Sequence, residues 1–120
     1  MSSVANDDWT PPQPPEVETT GKRLASEASE LGADLVLIWN QVEDAVLGHI
    51  VARELGVGIA YANEVEGILD TCGALAGCRV LVVFAETPKD SDITALTGLI
   101  ATSGASLAGI LEPGRVLATD

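Results

Sequence analysis

The chain has 120 residues, 47% of them apolar, which is enough for one small domain with a real core. Eighteen acidic side chains against six basic ones leave a net charge of -12. Nucleic acid and anionic membrane are therefore poor partners, because both are bound through clustered Lys and Arg, and no such cluster occurs. The aromatic residues are only Trp9, Trp39, Tyr61 and Phe84, too few for a base-stacking platform.

Residues 1–20 differ from all that follows. MSSVANDDWTPPQPPEVETT carries Pro11, Pro12, Pro14 and Pro15 with four carboxylates and little to bury. It reads as a disordered, Pro-rich acidic tail, with residues 21–120 as the domain. A docking role for Trp9 and the Pro11–Pro15 run is the functional alternative to a merely solvated tail.

From Gly21 onward helical and extended patterns alternate. Lys22 to Leu31 places Leu24, Ala25, Ala28 and Leu31 on one helical face, with Gly32 as the stop. Asp34 to Trp39 is an apolar run of strand length, suited to a strand covered on both faces. A second helix is expected from Glu43 to Leu55, and a strand from Val57 to Ala62. Asn63 to Gly77 should hold one or two short strands. Arg79 to Phe84 is the strongest strand, followed by a helix from Asp92 to Thr102 capped near Asp90 or Ser91. Ser106 to Leu111 and a short edge piece at Arg115–Ala118 complete the pattern. The fold class is α/β, a three-layer α/β/α arrangement with a mainly parallel, Rossmann-like sheet.

Cys72 and Cys78 read as reduced, buried small hydrophobes, and a zinc site would need more partners than the lone His49. No basic leader or long apolar run is present, so the chain reads as soluble and cytoplasmic.

In open α/β sheets ligands bind at the carboxyl ends of strands. Three loops qualify: Asn40–Val42, Asn63–Glu66 and Ala85–Ser91. The last, AETPKDS, has no glycine, a proline without an N–H, and Asp90 and Asp92 at the helix start. A phosphate would want free backbone N–H groups there, so this helix start reads as self-capped by carboxylate. His49 reads as a helix-face or interface residue, Glu64 and Glu66 as solvated loop charges, and Trp39 as packing at the sheet edge or the wall of a small pocket.

The succession DLVLIWNQVEDAVLGHIVARELG, then GALAGCRVLVVFAETPKDSDITALTGLIATSGASLAGIL, resembles the type I phosphoribosyltransferase family over 79 residues, from Asp34 to Glu112. The matching pieces are AGCRVLVV at Ala76–Val83, SGASLAGI at Ser103–Ile110 and HIVARELGV at His49–Val57. The resemblance implies that family's fold. It also implies where the cosubstrate, phosphoribosyl pyrophosphate, would sit. The two acidic residues that bind its ribose align with Phe84 and Ala85, and the Thr-Gly run around its 5′-phosphate aligns with Pro88 to Asp92. The motif is therefore degenerate. The long loop that covers the family's active site has no counterpart between Tyr61 and the next apolar stretch.

These departures imply a non-catalytic phosphoribosyltransferase-like domain acting as a binding, regulatory or assembly module. Its residual ligand site would be Glu86, Thr87, Lys89, Asp90 and Ser91, with no catalytic residue, no metal and no cofactor. A like charge at ~4 Å costs about 4 kcal/mol at an effective dielectric near 20, against about 8 kcal/mol for a micromolar ligand. Asp90 and Asp92 facing a phosphate would thus remove most of such an affinity. The alternative is a divergent nucleobase phosphoribosyltransferase of orotate or purine type, with Glu86 and Asp90 holding Mg²⁺-bound cosubstrate. A homodimer or other homo-oligomer is the expected assembly. The acidity also fits a partner with a basic face, or adaptation to high salt.

Overall fold

A single six-stranded sheet runs through the molecule in the order β3-β2-β1-β4-β5-β6, as seen in a computed structural model that describes residues 13–118. The strands are β1 Leu35–Trp39, β2 Gly58–Val65, β3 Ile68–Cys72, β4 Arg79–Val83, β5 Ser106–Glu112 and β6 Arg115–Ala118. The helices are α1 Pro14–Ala28, α2 Val42–Leu55 and α3 Asp90–Thr102. The four inner strands pair in parallel, whereas β3 and β6 are antiparallel edges.

Alternation along β1 and β4 divides the core into two layers. Val36, Ile38, Leu81 and Val83 face α1 and α2, packing with Leu24, Leu47 and Val51. Leu37, Val80, Val82 and Phe84 face the other way, onto Leu96 and Ile100 of α3. Both faces of the inner strands are thus covered, which is why their sequences are continuously apolar. The result is the expected three-layer α/β/α fold. Leu81, buried completely, lies at its centre.

The structure corrects the reading of residues 1–20. Residues 1–12, including Trp9, lie outside the described part of the chain, but helix α1 already begins at Pro14. Pro14 and Pro15 occupy its first two positions, where a missing N–H costs nothing because those donors have no intrahelical acceptor. The Glu16 carboxylate accepts the Gln13 N–H at 2.8 Å and closes the helix start. Val17, Gly21, Leu24, Ala25 and Ala28 then form a stripe against α2 and the sheet. Charge adds a tie: Arg53 of α2 donates to Glu18 at 2.5 Å and holds its carboxyl below the ordinary carboxylate range.

A second difference lies after β2. Asn63 to Val65 continue that strand, and Glu66 and Gly67, both at positive φ (53° and 81°), make a two-residue turn into β3. Two positive φ values in succession are the mark of a type I′ hairpin turn, whose twist matches that of paired strands. Cys78 is half-buried beside the α3-side core. The side chain of Cys72 lies outside the described residues.

Gly21 is where α1 and α2 meet without room for a side chain. A Cβ there would collide with Ile50, whose own Cβ would stand 2.8 Å away. Gly21→Val should therefore destabilise the fold by roughly 1–3 kcal/mol through overpacking. Urea denaturation of the two proteins checks this, and an unchanged midpoint would contradict it.

Candidate functional site

Chain direction reverses across the centre of the sheet. From β1 the chain passes through α2 to β2 on one side, and from β4 it passes through α3 to β5 on the other. At such a switch point the connections diverge and leave a crevice at the carboxyl ends of the two strands. A cleft of about 490 Å³ occupies this place. Trp39 ends β1 and Asn40 follows it, Ala62 to Glu64 come from β2, and Phe84 to Lys89 follow β4.

The most unusual group in the cleft is Asp44, in the first turn of α2. A carboxylate in that turn ordinarily serves its own helix. This one instead crosses to the end of β4, where its Oδ1 accepts the Ala85 N–H at 2.8 Å. Asp44 is only 7% exposed. Burial raises its pKa above the ordinary 3.8; the Ala85 hydrogen bond opposes this, and the charges of Glu43, Glu86 and Asp92 add to it. Glu43, Glu86 and Asp92 therefore place like charge around Asp44, in a cleft also lined by Lys89.

The rest of the cleft is held in place by short polar ties. Asn40 donates to the Asn63 side chain at 2.8 Å, joining the ends of β1 and β2. Thr87 donates to the buried Glu112 at 3.3 Å, fastening the β4–α3 loop to the end of β5. Trp39 is half-buried in the α3-side core and lines the cleft, so the packing and pocket readings both hold.

Of the residues singled out in the β4–α3 loop, Glu86, Thr87 and Lys89 line the cleft. Asp90 and Ser91 do not; they are the first two residues of α3. The cap position falls on Lys89, one residue before the expected cap at Asp90 or Ser91. Only Asp92 reaches back, accepting the Lys89 N–H at 3.4 Å. The two glutamates expected in one loop are separated, with Glu64 lining the cleft and Glu66 in the hairpin turn. His49 lies outside the cleft on α2, its Nε2 2.5 Å from the Tyr61 hydroxyl. Sequence reading missed the role of Asp44, because nothing in QVEDAV shows that the second acid turns inward. In all, Glu43, Asp44, Glu64, Glu86 and Asp92 face a single lysine, Lys89.

The fold is similar to that of solved phosphoribosyltransferases. Purine phosphoribosyltransferase from Pyrococcus horikoshii Ot3 superposes with a TM-score of 0.68 at 14% identity, covering 84% of this chain and 73% of that one. Adenine phosphoribosyltransferase from Thermoanaerobacter pseudethanolicus gives 0.69 at 19% identity, with 82% and 67% covered. A hypothetical protein from Neisseria gonorrhoeae with bound ppGpp gives 0.61 at 12% identity, with 84% and 66% covered. No protein-family model and no curated protein sequence matches the chain. At these identities the likeness defines the fold.

The raised pKa of Asp44 has a consequence for stability. The folded chain holds a proton on this carboxyl more readily than the unfolded chain does. Its stabilising contribution is therefore complete below pH 3.8 and is lost as pH rises through the raised value. Asp44→Asn keeps an acceptor for Ala85 without the buried charge. It should melt at a higher temperature than wild type at pH 7, with the gap closing as pH falls toward 3.8. Thermal melts across that range check the sign, and a less stable variant at pH 7 would refute it.

Proposed function

We propose that this domain is a non-catalytic phosphoribosyltransferase-like module that works by binding at its cleft, in a regulatory or assembly role. The observation that carries the reading is the Asp44–Ala85 hydrogen bond. The first backbone donor beyond Phe84, at the end of β4, is already taken by a buried carboxylate. An incoming phosphate or ribose would have to displace that carboxylate or accept its charge as a neighbour.

The flanking residues support the same reading. Phe84, at one position of the family's ribose-binding acids by resemblance, is 3% exposed and packs in the core. Ala85, at the other, has no functional group. One added like charge at ~4 Å costs about 4 kcal/mol at an effective dielectric near 20. Five carboxylates around the cleft against one lysine thus weigh heavily against a polyphosphate. The second reading, a divergent nucleobase phosphoribosyltransferase, is favoured by the position of the cleft at the switch point, where relatives of this fold are expected to bind ligand. It loses one of its two metal-holding acids, since Asp90 does not line the cleft.

Titration calorimetry of the full chain with phosphoribosyl pyrophosphate and Mg²⁺ should give no saturable heat. Pyrophosphate release with adenine, hypoxanthine or orotate should stay at background. Micromolar binding or turnover of any of these bases would overturn the proposal.

A further inference from the structure

The large apolar side chains left exposed among the described residues are Val42, Val46, Val65 and Ile68, with 46% to 75% of their surface in water. They are not scattered. Val42 and Val46 lie one turn apart on α2, and His49 and Arg53 extend the same stripe at helical spacing. His49 meets the Tyr61 hydroxyl at 2.5 Å, so the stripe looks toward β2. Tyr61 packs on the α1–α2 side of the sheet. Val65, four residues further along β2, shares that face, and Ile68 of β3 is its cross-strand partner.

The second pair stands on an arm. β1 pairs with β2 as far as Ala62, while β2 runs on to Val65 and turns back through Glu66 and Gly67 into β3. This end of the hairpin is a two-stranded ribbon, which is marginal in water unless its apolar face is covered. Within the described chain that face is open, with Val65 64% and Ile68 70% exposed.

Charge and shape indicate the cover. The arm joins its apolar pair to acids, Glu66 in the turn and Asp70 opposite Asn63. The α2 stripe joins its apolar pair to bases, His49 and Arg53. Arg53 already holds Glu18 and Glu54, so His49 is the base left for an incoming acid. An apolar and acidic surface thus accompanies an apolar and basic one on the same chain. A second copy supplies both halves at once, and about a twofold axis each contact is made twice.

We propose that two copies of the chain associate through this face, the β2–β3 arm of each lying on the Val42–Val46–His49 stripe of the other. Such a contact uses the same surface on both copies and is closed, so assembly stops at the dimer. It does not depend on what the cleft binds.

Light scattering on the size-fractionated full chain at micromolar concentration should give twice the chain mass. Added salt should tighten the dimer, because two copies of net charge -12 repel each other and screening relieves this. Ile68→Lys and Val46→Lys, both at exposed positions, should each raise the dimer dissociation constant by about tenfold or more, as at the centre of an interface. Each adds positive charge to an acidic chain, so relief of general repulsion would act in the opposite direction. Thr94→Lys, exposed on α3, should leave dimerisation unchanged. Circular dichroism spectra like that of wild type separate lost association from lost fold.

A chain that stays monomeric at millimolar concentration, in low and high salt alike, would overturn the proposal and leave the face to a different protein. A dimer that both Ile68→Lys and Val46→Lys leave intact would overturn it too, because another surface then joins the copies.

Discussion

The parallel pairing of β1 with β4 is the constraint on which the rest of the molecule depends. Leu35, Val36 and Leu37 lie in register with Val80, Leu81 and Val82 at the middle of the sheet. Because these strands are buried on both faces, all their polar backbone must be satisfied by neighbouring strands, and all their side chains by helices. One helix then leaves to either side, and the space between the departing connections becomes the cleft. The site is a by-product of sheet topology, and side chains determine only what it can hold.

Those side chains have been arranged against anions. A helix beginning at the mouth of a cleft carries partial positive charge, which in this fold class commonly meets a phosphate. Here the first turn of α2 already carries Glu43 and Asp44, and that of α3 Asp90 and Asp92. Asp44 then carries the argument further, because its turn away from its own helix ties α2 to the end of β4. Its burial costs stability, while its hydrogen bond fastens two elements beside the cleft.

Much of the fold was legible in the sequence because each inner strand is an unbroken apolar run and each helix ends at a glycine or a polar turn. RVLVVF and DLVLIW admit few other structures. The start of α1 was not legible, for a specific reason. Pro14, Pro15, Glu16 and Glu18 mask the stripe of Val17, Gly21, Leu24 and Ala28, and proline reads as a breaker until its place at a helix start is known. The extension of β2 was hidden similarly, since Asn63 and Glu64 look like loop residues but pair with Asp70 and Leu69 of β3. In the site, Glu86, Thr87 and Lys89 followed from position after a strand. Asp44 did not, because the contact that defines it joins residues 41 positions apart.

The two-residue turn at Glu66–Gly67 bears on time rather than on shape. A hairpin this short provides no flap to swing over the cleft from β2, so entry and exit at that side need no conformational step. Occupancy would then follow the surrounding concentration of ligand without delay, and water would stay in contact with whatever is bound.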